Sequence, residues 1–271
     1  MAIGKFGVKE VMNVTLYDMA SGDPVIFFDT LKTSSLEITS EKVYARGGRG
    51  NSKLITWEIN KEGILNIEDA LLSPKSMELL SGHKTAIGAQ ILQMRQTTEY
   101  DTAGEHPVDK GEFYPLTCSS TGVIKLAYAP TDDVTEIKIY LDEDDCGEKV
   151  DMAGATLSGT TLTLGSNGTA AAGGKKVVAY YHFQTADTTE SYLITADKFA
   201  GTYKLVGDTI VRNLKTGKDE PFQVVCPNLK WTSNLTLDMA AEGDPTPISF
   251  ECEVMRAPDS PTMVQLYKYP Y

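Results

Sequence analysis

From Ser34 to Gly82 the chain reads as strand, glycine-arginine loop, strand, strand and capped helix, an order that leaves few folds open to it. In Ser35-Leu36-Glu37-Ile38-Thr39 apolar and polar residues alternate. In Lys53–Asn60 the residues Ile55, Trp57 and Ile59 share one face, the period of a half-buried strand. Between these runs lies Tyr44-Ala45-Arg46-Gly47-Gly48-Arg49-Gly50-Asn51. Such a loop adds nothing to a core, but its glycines let the backbone take positive φ or approach another backbone closely. Ser73-Pro74 predicts a helix start, serine as N-cap and proline in the first turn. Met77, Leu79 and Leu80 supply its apolar contacts and Gly82 its stop.

The rest of the chain follows the β pattern. Thr15–Pro24 and Thr236–Pro245 both end in Gly-Asp-Pro between strand-like segments, which predicts two hairpins. Between Pro115 and Phe183 the composition turns Gly-, Thr- and Ala-rich. Strand-like runs at Val123–Leu126, Glu136–Leu141, Thr161–Leu164 and Val177–Phe183 are separated by turns at Ser166-Asn167-Gly168 and Gly173-Gly174. That spacing predicts a small all-β, immunoglobulin-like unit. Glu105–Gly111 and Ala186–Thr189 read as joints, so residues 113–185 are expected to be inserted into a β domain made of 1–112 and 186–271. The alternative is that these strands join the same barrel. The fold class expected is mainly β: a barrel or sandwich with one short flanking helix and this inserted unit.

Motifs for chemistry are missing. The histidines, His83, His106 and His182, fall in unrelated segments, and no His-x-x-x-His or His-Glu-x-x-His spacing occurs. Asp142–Glu148 resembles the start of a calcium loop, but Cys146 stands at the fifth place and Ala153 at the twelfth, where a bidentate glutamate is required. A solvated acidic turn is the better reading. Gly47-Gly48-Arg49-Gly50 lacks the Gly-Lys-Ser/Thr entry into a helix that phosphate loops need. Glu251 and Glu253 could pair as hydrolase carboxylates, yet they alternate with Phe250, Cys252 and Val254, which reads as the polar face of a strand. No nucleophile elbow or Cys-His couple is present, so no catalytic residue, metal ligand or cofactor is assigned and the chain is not expected to be an enzyme. The four cysteines, Cys118, Cys146, Cys226 and Cys252, are widely spaced and read as buried reduced thiols. No apolar run reaches the ~20 residues that span a bilayer, and the first residues lack a signal-peptide core, which points to synthesis in a cytoplasm. The net charge of −12 makes the chain a poor candidate for grasping DNA.

The segment YARGGRGNSKLITWEI, followed by KEGILNIEDALLSPKSMELLSG, resembles the N-terminal half of tail tube (major tail) proteins of tailed bacteriophages. Phe222–Val225, Leu229–Trp231, Leu235–Leu237 and Ile248–Val254 resemble that family's closing strands. The resemblance implies a structural virion protein of the tail: hexameric rings stacked into a hollow tube through which DNA passes at ejection without specific binding. It implies partners in the same tail, among them further copies of the chain, a tape measure protein, a tail terminator, baseplate or tip proteins and, if the tail is contractile, a sheath; the resemblance does not say whether it is. It also implies a ring-to-ring contact role for the loop of Tyr44, Arg46, Gly47, Gly48, Arg49, Gly50 and Asn51. The alternative function is a carbohydrate- or surface-binding virion module, with Tyr128, Tyr140, Tyr180 and Tyr181 on the binding face.

Overall fold

The computed structural model describes residues 4–99, 115–143, 147–237 and 247–269. The expected joint at Glu105–Gly111, most of the second hairpin turn, and Asp144, Asp145 and Cys146 lie outside them. The chain falls into two compact units, one of residues 1–86 with 192–271 and one of 87–191.

In the first unit the strands are β1 (Phe6–Val8), β2 (Asn13–Asp18), β3 (Pro24–Phe28), β4 (Leu31–Gly47) and β5 (Ser52–Asp69), followed by helix α1 (Pro74–Ser81). The chain crosses through β6 (Ala86–Ile87) into β7 (Ile91–Gln96), β8 (Val123–Lys125), β9 (Lys138–Leu141), β10 (Thr156–Ser158) and β11 (Thr161–Thr163). Helix α2 (Ser166–Ala172), β12 (Val177–Gln184) and β13 (Glu190–Ser191) follow. The first unit closes with β14 (Thr202–Asn213), β15 (Asp219–Trp231), β16 (Ile248–Met255) and β17 (Gln265–Lys268).

One antiparallel sheet organises the first unit, in the order β3-β2-β14-β15-β16-β5-β4, with β1 added to β14 and β17 to β15. It runs open from β3 to β4 and does not close into a barrel. The β2–β3 turn is built as its sequence demands: the Asp18 carboxylate accepts the Ala20 and Ser21 N–H groups at 2.9 and 2.8 Å, and Gly22 takes φ 76°. On the inner face Trp231 stacks on Phe28 at 5.9 Å and tilts against Phe250 at 5.2 Å, all three fully buried with Leu16, Leu65, Ile67 and Leu205. Helix α1 covers this core with Met77, Leu79 and Leu80. Ser73 and Ser76 form a reciprocal capping box, and Gly82 ends the helix at φ 68°. A side chain could not replace that glycine, because a Cβ there would lie 2.5 Å from the Phe199 carbonyl oxygen.

The terminal strands are zipped onto the far end of the β14–β15 hairpin. Phe6, Gly7 and Val8 pair with Asn213, Arg212 and Val211, while Gln265–Lys268 pair with Phe222–Val225. Asp219 accepts hydrogen bonds from Arg212 (2.7 and 2.8 Å) and Lys9 (3.0 Å), and these cations hold its carboxyl well below the ordinary carboxylate range. Lys268 pairs with Glu220 and lies 5.0 Å over the Phe6 ring.

The second unit packs two three-stranded sheets, β10-β11-β8 and β7-β12-β9, around Leu116, Ile124, Ile137, Ile139, Leu162, Val177 and Tyr181. The arrangement is sandwich-like. Buried Gln96 on β7 clasps the core with all its polar groups satisfied. Its amide donates to Thr98 O and Lys125 O, and its oxygen accepts from Ala127 N–H and the Tyr181 hydroxyl, both at 3.0 Å. Ser166-Asn167-Gly168 opens helix α2 instead of a turn. The three alanines that follow favour helix strongly enough to override the Asn-Gly turn signal, and Ala172 is buried in the core.

Candidate assembly site

The sequence loop of interest is the tip of a hairpin far longer than it looks from the pattern. β4 and β5 stay paired from Leu31 opposite Asp69 to Gly47 opposite Ser52. At its base β5 also pairs with β16, from Asp69 opposite Ile248 to Gly63 opposite Val254. Beyond Gly63 the ribbon continues on two strands alone. Gly63 marks this parting because a Cβ would meet Val254 at 2.9 Å and Ile38 at 3.0 Å.

Just past the parting, a β-bulge changes which face the side chains occupy. Asn60 has no opposite residue, takes φ 47°, and donates from its side chain to Glu41 at 2.8 Å. The extra residue shifts the alternation by one, since the side-chain period is two. Leu65 and Ile67 point into the core opposite Leu36 and Ser34. Ile59, Trp57 and Ile55 pair with Glu41, Val43 and Ala45, on the opposite face. A second bulge at Leu54 sets its side chain against Gly47, where a Cβ would lie 3.2 Å from it. The half-buried strand expected at Lys53–Asn60 is therefore solvent-exposed: Leu54, Ile55 and Trp57 are 64%, 53% and 49% exposed. Val43 and Ile59 extend the same apolar stripe.

The other face of the ribbon is polar, with Lys42 opposite Glu58, Tyr44 opposite Thr56 and Arg46 opposite Lys53. Tyr44 gathers two cations over its ring, Lys53 Nζ at 3.8 Å and Arg46 Cζ at 5.5 Å from the centroid. The structure thus brings Tyr44 and Arg46 together with Lys53, and sets Gly47 beneath Leu54. Gly48, Arg49, Gly50 and Asn51 form the exposed turn, with Gly48 and Gly50 at φ 77° and 86°, a region that favours glycine. The Asn51 N–H closes it on Gly48 O at 3.2 Å.

At the base of the hairpin the solvent face carries carboxylates. Glu37, Ile64 and Glu253 lie in one cross-strand row, with Glu251 opposite Asn66 and Glu62 opposite Thr39 in the neighbouring rows. A groove of about 710 Å³ opens where the ribbon parts from β16, lined by Lys61–Ile64, Glu251–Arg256, Thr232, Pro261 and Met263. The sequence shows Ile55, Trp57 and Ile59 on one face, but neither the exposure of that face nor this base is legible in it, because they depend on the bulge and on the partner strand β16.

Among the described residues no cluster could hold a metal ion. His83 Nε2 lies 3.0 Å from the Thr195 hydroxyl, and His182 pairs with Asp132 at 2.9 Å on the surface. Glu251 and Glu253 are exposed between buried Phe250, Cys252 and Val254, the outer face of β16. Burial pushes the Cys226 thiol up to about 11 and the Cys252 thiol higher still, while Cys118 is likewise buried and raised. No helix among the described residues is long and apolar enough to cross a membrane.

Compared with models of protein families, the chain matches one described as the YomU/Tube protein family over residues 6–268. No curated protein matches it.

Proposed function

The chain belongs to the YomU/Tube protein family, and from that premise we propose that it is a structural subunit of a phage tail tube, polymerising as stacked hexameric rings around a channel for DNA. The observation that carries this reading is the β4–β5 ribbon. An isolated two-stranded hairpin is marginal in water, and one that exposes Trp57, Ile55, Leu54 and Val43 together is an interaction surface waiting for a partner. Partner copies supply it: the stripe is buried between neighbouring subunits, and the tip from Tyr44 to Asn51 reaches the next ring. The open edges at β3 and β4 offer unpaired backbone through which sheets of adjacent copies join into one wall. The role is architectural and not catalytic.

The net charge of −12 suits a conduit, because a wall that bound phosphates would hold the genome back. Residues 87–191 act as an inserted module carried by the tube domain and dispensable for its polymerisation. The tail's other components, a tape measure protein, terminator and tip proteins, meet the tube at its ends and interior.

Negative-stain microscopy of the purified protein tests the reading. Rings or tubes are expected, with more than ~1,000 Å² buried per specific contact. A folded protein that stays monomeric at high concentration across salt conditions overturns it. Replacing 87–191 by a short Gly-Ser linker should leave tubes intact, and loss of tubes from a folded variant would place that unit in the wall.

A further inference from the structure

Resting on the assembly reading, the geometry points to the acceptor for the hairpin tip: the carboxylate-edged groove at the base of the same hairpin in a second copy of this chain. Charge is the first argument. From Lys42 to Trp57 the ribbon carries Lys42, Arg46, Arg49 and Lys53 and no carboxylate, in a chain whose net charge is −12. At the base, Glu62, Glu251 and Glu253 line the groove and Glu37 flanks it beside Ile64, against Lys61 and Arg256. Among the described residues none of these four carboxylates and none of Arg46, Arg49 and Lys53 is engaged in an ion pair, while Lys42 lies across the ribbon from Glu58. The three cations at and behind the tip and the carboxylates at the base each lack the partner that the other supplies.

Shape and polarity are the second argument. The groove has the volume of a ligand cleft, and Ile64, Val254, Met255 and Met263 give it an apolar side that suits Leu54 and Ile55 behind the tip. Methionine adapts to such contacts. Donor and acceptor are different surfaces at opposite ends of one ribbon, so copies stacked in the same direction make a heterologous contact that propagates, whereas two antiparallel copies would exchange it reciprocally and close as a dimer; the tube reading requires the first arrangement. The thirteen residues from Asn51 to Gly63 make twelve steps, on the order of 40 Å at ~3.3 Å per residue, which sets the expected axial step of the polymer.

Charge reversal and its rescue test the proposal. Arg46→Glu with Arg49→Glu, and separately Glu251→Lys with Glu253→Lys, should each raise the critical concentration for tubes at least tenfold while leaving the monomer's unfolding midpoint unchanged. An equimolar mixture of the two variants should co-assemble, because each tip then meets a groove of opposite charge, and the four substitutions in one chain should assemble alone. If the groove variant polymerises as wild type while the tip variant does not, the acceptor lies elsewhere and the tube reading stands. If neither variant changes assembly, the tip makes no charge contact and both assignments fall. If both fail but the mixture does not assemble, the pairing is refuted. Should lysines at 251 and 253 disturb folding, Glu251→Gln with Glu253→Gln replaces them. That variant should weaken assembly and flatten its dependence on salt, and an unchanged salt dependence would overturn the proposal.

Discussion

The chain's two tryptophans stand in opposite environments, and Trp57→Thr separates folding from assembly. Trp231 is fully buried between Phe28 and Phe250, whereas Trp57 is 49% exposed on the ribbon. With roughly 250 Å² on a tryptophan, about 120 Å² of Trp57 remains for a partner to cover, worth about 3 kcal/mol at ~25 cal/mol per Å². Threonine keeps the strand propensity and recovers part of the contact, so a net loss of about 2 kcal/mol per interface is expected. At ~1.4 kcal/mol per decade this raises the critical concentration roughly 30-fold. Within the monomer the substitution removes the cross-strand contact to Val43, worth about 0.2–1 kcal/mol.

Sedimentation across a concentration series gives the critical concentration, and denaturant unfolding below it gives monomer stability. Fluorescence supplies an internal control. Wild-type emission should shift to the blue on polymerisation as Trp57 loses water, and in Trp57→Thr the remaining emitter, Trp231, should not shift. A monomer destabilised by several kcal/mol would show that Trp57 belongs to a core. Tubes forming at the wild-type critical concentration would show that the stripe is no interface.

Trp231→Ala should cost about 3–5 kcal/mol of unfolding free energy, read by denaturant titration, because it empties the aromatic centre of the core. Gly82→Ala should destabilise by about 1–3 kcal/mol, since it combines a left-handed φ with a clash on the Phe199 carbonyl, while Gly22→Ala should cost less, its left-handed φ facing open space. The carboxyls of Asp219, Glu220, Glu78 and Asp18 are all held low by hydrogen bonds and cations. Their contribution is therefore present above about pH 4 and lost as pH falls below it, and Asp219→Asn should make the acid limb of a stability-against-pH curve shallower. Native Cys226 and Cys252 should resist a thiol reagent at pH 8 and react only at the rate of unfolding, checked by colorimetric titration with and without denaturant.

Local signals in the sequence carried much of this fold. Serine, proline and glycine bracketed α1 where it stands, and alternation marked the strands of both units. Gly-Asp-Pro marked the β2–β3 turn. What sequence could not show was set by non-local pairing. Nothing in Phe6–Val8 or Gln265–Lys268 announces that they flank the same hairpin. At the candidate site, the glycines of the tip were legible because left-handed φ has a residue preference. The apolar stripe was misread as half-buried because alternation reports a two-faced strand without saying whether anything covers the apolar face. A single asparagine at 60 decided the matter: it reads as an ordinary polar position, yet its bulge turns Trp57 away from the core side. The groove needed β16, nearly 190 residues downstream of β5, to exist at all.

The pairing of β1 and β2 with β14 has a consequence for the order in which the chain acquires structure during synthesis. The strands described in residues 87–191 find their partners within that unit, so their pairing needs no strand made later. The opening strands differ: β2 waits for β14, and β5 waits for β16. At ~5–20 residues per second, β5 emerges about 10–40 s before the strand that anchors its base. Through that interval the stripe of Leu54, Ile55 and Trp57 is already synthesised, whereas the groove does not exist until Glu251 and Glu253 are made. On the proposed tip-to-groove contact, a nascent chain can therefore offer a tip but no socket, so head-to-tail growth through nascent chains would be blocked, and polymerisation would be a property that only a finished subunit acquires.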